Sequence, residues 1–120
     1  MSERQDLKAR TKAYALRIVR LYVALPKRTE AQVLGKQLLR SGTSVGAHYR
    51  EACRAKSDAD FINKLEGAPQ ELEESSYWLE LIAEAELFSL SRIEPLVKET
   101  NELTAMFVTM VRNTKNRPSS

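Results

Sequence analysis

One histidine and one cysteine are all the imidazole and thiol chemistry this chain possesses. His48 stands in a polar line, Gln37, Ser41, Ser44, His48 and Glu51, spaced four, three, four and three, which places the five side chains on one helical face. Asp60, Lys64 and Glu71 form a second polar line further on. If the two lines face each other, Ser41, Ser44, His48, Glu51, Lys64 and Glu71 make a structural network, because polar groups removed from water must find partners. A ligand or catalytic pocket is the lesser reading of the same residues. A Ser-His-acid triad lacks its Gly-x-Ser-x-Gly elbow, and a carboxylate-bridged di-iron site needs Glu-x-x-His pairs that one histidine cannot supply. Gly42 and Gly46 have Gly-x-x-x-Gly spacing in a helical context, which points to close helix packing and not to a phosphate loop. No catalytic residue, metal site or cofactor is expected, and Cys53 reads as a small, partly buried side chain without a partner thiol.

Cations offer a different chemistry. Residues 1–28 hold eight basic side chains against two acidic, 29–56 five against two, 57–91 one against nine, and 92–120 five against three, for a net charge of +3. Arg10, Arg17 and Arg20 share one sector of the first helical segment and are the candidate contacts for a polyanion such as RNA or DNA. The plainer reading of the same partition is that an acidic third segment orients itself between basic neighbours.

These side chains need elements to hold them. The composition is 42% hydrophobic, 29% charged and 7% aromatic, with four glycines and four prolines in 120 residues, which fits one all-α domain better than a turn-rich β sandwich. Leu7, Thr11, Tyr14, Ile18, Leu21 and Leu25 recur at steps of four and three, the seam of a first helix ended by Pro26. Thr29 is the expected cap of a second helix running to about Ala55 with Ala31, Leu34, Leu38, Val45, Tyr49 and Ala52 inward. Ser57 to Asp60 resembles a capping box for a third helix carrying Phe61, Leu65, Ala68, Leu72, Leu79, Ile82 and Ala83, with a kink expected at Pro69. Ser91 to Glu94 reads as the box of a fourth, with Leu96, Leu103, Phe107 and Met110 inward and Pro95 in its first turn. Short connections favour an antiparallel up-down-up-down four-helix bundle over residues 1–116, with 117–120 a frayed tail. No window reaches the ~20 apolar residues of a membrane span. Without a secretory signal or a disulfide pair, a cytoplasmic location is expected.

Leu16, Val19 and Val23 lie nearly opposite the first helix's seam, and Tyr77, Trp78 and Leu81 leave the seam of the third. Two such off-seam patches imply self-association, with these six residues as the candidate interface.

The run from Gln37 to Ala52, followed by Ser57, Asp60 to Lys64, Glu71, Glu74 and Tyr77-Trp78-Leu79, resembles the four-helix bundle family known as 23S rRNA intervening-sequence proteins, or by an older label the S23 ribosomal protein family. The likeness spans roughly residues 10 to 110. His48 stands where the family's Ser-x-x-x-Asn arrangement has asparagine, and the Ala68-Pro69 pair also departs from the pattern. The resemblance implies a short-looped antiparallel bundle, a ring-like homopentamer and no known enzymatic activity. It further implies a fold similar to accessory proteins of diversity-generating retroelements, which bind nucleic acid and a reverse transcriptase. The leading expectation is a non-catalytic oligomeric bundle that binds RNA or DNA as a nucleoprotein adaptor. The alternative is a protein-binding scaffold with no nucleic-acid role.

Overall fold

A computed structural model describes residues 2–117. Helix α1 spans Glu3–Ala24, α2 Thr29–Ala52, α3 Asp58–Leu65, α4 Gly67–Glu84 and α5 Leu90–Lys115, and no strand occurs among the described residues. The expected seam of α1 is buried at every position from Leu7 to Leu25. Ser2 caps α1 and Ser57 caps α3, each hydroxyl accepting from a backbone N–H three residues on.

Side-chain pairings show the antiparallel order. Thr11, Ile18 and Leu25 of α1 meet Gly46, Gly42 and Gly35 of α2 in turn. Ser41 meets Ser75 of α4, while His48 meets Gly67. Ser76 faces the region of α5 near Asn101, and Ala83 the region near Ile93. Arg10 and Tyr14 reach Glu99 and Thr100, closing the ring from α1 to α5. The α1–α2 seam is tight because it is lined by glycine. A Cβ on Gly42 would lie 2.7 Å from Ile18 Cγ1, and one on Gly35 2.6 Å from Leu25 Cδ1.

Four boundaries differ from those the sequence predicts. The third helix is divided at Glu66, giving α3 and α4; Glu66 keeps helical angles, φ −61° and ψ −19°. The interruption is thus a one-residue kink, and the apolar phase runs through it, with Leu65, Ala68, Leu72, Leu79 and Ile82 all buried. Gly67 weakens the helix there and Pro69 removes the donor that would reach Leu65. Arg28, not Thr29, is the N-cap of α2, and Thr29 is already helical with no capping side-chain bond. That helix ends at Ala52 in a turn closed by Ala55 N–H to Ala52 O. Helix α5 is capped at Ser89, whose carbonyl accepts from both Arg92 and Ile93, so Ser91 is inside the helix and cannot form the expected box. Pro95 consequently falls in the second turn. Residues 118–120 of the expected tail lie outside the described residues; Arg117 donates to Asp58 Oδ1 at 3.4 Å.

Candidate nucleic-acid interface and buried polar network

The polar line of α2 divides into three parts. Ser41 is fully buried, its hydroxyl 2.8 Å from that of Ser75. Ser44 turns back on its own helix, donating to the Arg40 carbonyl at 2.6 Å. His48 lies against Gly67, where a Cβ would come within 2.6 Å of its Nδ1, and holds Nε2 3.6 Å from Glu71 Oε2. The glycine that weakens the third helix therefore also admits the imidazole.

Glu71 is the buried acid of this region, and its main partner is Arg40, whose guanidinium donates to both carboxylate oxygens at 3.2 and 3.3 Å and reaches Glu74 at 2.6 Å. Lys64 pairs with Asp60 one turn earlier on its own helix, at 3.4 Å, and not with Glu71. Glu51 is exposed and has no side-chain hydrogen bond among the described residues. Ser41, His48 and Glu71 are thus brought to the α2–α4 face, whereas Ser44, Glu51 and Lys64 are not joined to them. The hydroxyl a triad would need faces away from His48. Among the described residues, no cluster of histidine, cysteine, aspartate or glutamate is arranged to hold a metal ion, and no helix is long and apolar enough to cross a membrane.

A second network reaches all the way across the bundle. The Tyr14 hydroxyl lies 2.7 Å from Thr100 Oγ1, with Ser75 near enough to act on it. With Ser41 on Ser75, two hydroxyl pairs whose four side chains are fully buried, one each from α1, α2, α4 and α5, form a hydroxyl layer. Burial pushes the Tyr14 pKa up, against the opposing pull of those hydrogen bonds, so the group stays neutral. Ser75, Tyr14 and Thr100 carried no sequence signal for this role, since each occupies an ordinary seam position.

The arginine sector is rearranged most. Arg10 is clamped to Glu99 through Nε at 2.8 Å and a terminal nitrogen at 2.7 Å, with Glu102 at 3.2 Å. It is therefore an internal tie and not a free cation. The charge of Arg17 adds a small share to the lowering of the Glu99 pKa, while Arg20 is exposed and has no ion-pair partner among the described residues. The unpaired cations instead gather at one end of the α1–α2 face. With Thr11 on Gly46, register places Lys8 and Lys12 alongside the last two turns of α2, where Arg50 is exposed, and Arg54 is exposed just past the helix end. Arg4 stacks over Phe61 at 5.4 Å nearby, beside Lys56. None of these cations has an acidic partner within salt-bridge distance among the described residues.

Of the six candidate interface residues, Leu16, Val19, Val23 and Tyr77 are 43, 37, 67 and 52% exposed. Trp78 packs against the core of its own chain and Leu81 is half-buried.

Antiparallel geometry and the buried hydroxyl layer together define a four-helix-bundle protein. The chain belongs to the 23S rRNA-intervening sequence protein family, which it matches over residues 3–109. It is similar to the crystal structure of a protein of unknown function from the S23 ribosomal protein family of Bacteroides thetaiotaomicron. The two are 38% identical with a TM-score of 0.85, over 92% of this chain and 99% of that one. No curated protein matches.

Proposed function

We propose that this protein is a non-catalytic, self-associating bundle that binds the phosphate backbone of RNA or DNA through its α1–α2 face, acting as an adaptor in a nucleoprotein complex. The observation that carries this reading is the cluster of Lys8, Lys12, Arg50 and Arg54, cations with no acid within salt-bridge distance among the described residues. Repetition of the cluster in a ring of copies, five by the family resemblance, would convert a modest patch into a multivalent surface. Phosphate contacts of this kind position a strand without reading its sequence, and the face offers few aromatics on which bases could stack. The rival reading, a protein-binding scaffold, draws on the exposed Leu16, Val19 and Val23.

A variant with Lys8, Lys12 and Arg50 all changed to glutamine separates the two. Each phosphate contact on a single strand contributes about −0.7 to the log-log salt slope, so the variant should bind mixed-sequence single-stranded RNA with a slope shallower by about 2, its assembly unchanged. Equal, weak and salt-insensitive binding by both proteins would refute the nucleic-acid reading and favour the scaffold.

A further inference from the structure

The cation track of α1 does not stop at Lys8. Arg4, Lys8 and Lys12 follow one another at steps of four, about 6 Å apart along the helix. Arg4 lies over the ring of Phe61 in the first turn of α3, 5.4 Å from its centre. This stacked pair belongs to two hollows at the end of the bundle, since Arg4, Phe61 and Arg117 line both. The two differ in chemistry. The larger, about 490 Å³, is lined by the partly buried Met106 and Met110 and by the exposed Thr109 and Asn113, all from α5. Neither Thr109 nor Asn113 makes a side-chain hydrogen bond among the described residues. Glu3 is the acid at its rim. The smaller, about 190 Å³, adds Lys56 to Arg4 and Arg117, against the carboxylate of Asp58, which Arg117 meets at 3.4 Å.

We propose that the larger hollow takes one unpaired base of an RNA or DNA strand, stacked against Phe61 with its edge toward Thr109 and Asn113, while the neighbouring phosphate sits between Arg4 and Lys56. This rests on the phosphate-binding reading above and adds to it a site that touches a base. Bases stack on aromatic rings and on guanidinium planes, and the Arg4–Phe61 pair presents both. The Asn113 amide carries donors and an acceptor and the Thr109 hydroxyl can act as either, which suits the mixed edge of a base. A purely apolar occupant would cover those groups without pairing them. Glu3 repels phosphate from the larger hollow, so the charged part of the ligand is directed to the cations of the smaller one. A duplex delivers a base only at the expense of unpairing and unstacking it. The site therefore favours single strands.

Titrating the full chain with mixed-sequence single-stranded RNA, and with an abasic strand of the same length and charge, separates stacking from phosphate contact. Wild type should bind the base-bearing strand about tenfold more tightly, with the same salt slope for both. Phe61→Leu keeps an apolar side chain but removes the π-face, so RNA affinity should fall to that of the abasic strand at unchanged slope. Phe61 also packs on the core, so a second variant at an exposed position guards against a folding defect. Asn113→Ala should weaken RNA about fivefold and leave the abasic strand unaffected. Equal affinity of wild type for the two strands, or full-strength RNA binding by Asn113→Ala, would overturn the base site and leave the phosphate reading standing. A wild type that binds neither strand would overturn both.

Discussion

At the scale of single residues, Glu99 is the most informative side chain. Its hydrogen bond and charge pairing with Arg10 hold its carboxyl below the usual value of 4.5, against the opposing effect of burial. A carboxylate whose folded pKa is depressed stabilises the fold above its unfolded pKa, and that contribution is lost as pH falls through the folded value. Glu99→Gln should therefore lower the urea midpoint at pH 7, and the gap from wild type should narrow as pH drops below about 4.5. A gap that stayed constant to pH 3 would show that the pair contributes nothing through ionisation. Nothing in the sequence points from Arg10 to an acid 89 positions away; helical spacing places Arg10 in a sector but says nothing of what the neighbouring helix brings to meet it. Ser44 failed for a local reason. A serine hydroxyl in a helix can bond its own backbone four residues back, and spacing alone does not distinguish that state from an interhelical one.

At the scale of elements, the end of α4 is the place where the chain is under strain. Glu86 has φ 57°, and the backbone around it closes with Glu86 N–H to Ala83 O and Leu87 N–H to Ile82 O, the paired bonds of a Schellman motif. Leu87, 4% exposed, packs back into the core behind it. A left-handed position normally holds glycine because a Cβ crowds the following carbonyl, at a cost of roughly 1–2 kcal/mol. Glu86→Gly should thus raise stability by about 1 kcal/mol after its larger unfolded-state entropy is subtracted, measured as an upward shift in urea midpoint at unchanged slope. A lower midpoint would mean that the glutamate side chain has a compensating role. The helix interiors were legible because their period follows from geometry: the whole seam of α1 and most of that of α2 are buried where the spacing puts them. The ends were less so. Both Ser89 and Ser91 are competent caps, and which one serves depends on where Ile93 and Leu96 must enter the core.

At the scale of the whole molecule, the hydroxyl layer ties α1 to α5 through Tyr14 and Thr100 and α2 to α4 through Ser41 and Ser75. Removing one partner of a buried pair strands the other, at about 1–3 kcal/mol, whereas removing both together can be close to neutral. Ser41→Ala alone should therefore cost more than half of what the Ser41→Ala, Ser75→Ala pair costs, with thermal unfolding of the single and double variants as the measure. Strict additivity would show that the two hydroxyls are not coupled. The ring of helices is also uneven in how it closes. Backbones of α1 and α5 approach only sparsely, an open groove of about 490 Å³ lies between their ends, lined by Arg4, Phe61, Met106 and Met110 among others, and the Arg10–Glu99 and Tyr14–Thr100 ties bridge the gap. A seam held by a few polar ties and little packing is where a native protein breathes first. The helix on that soft edge also carries Lys8 and Lys12, so a strand bound there would quiet its fluctuations, and amide exchange along the first half of α1 would slow as RNA is added.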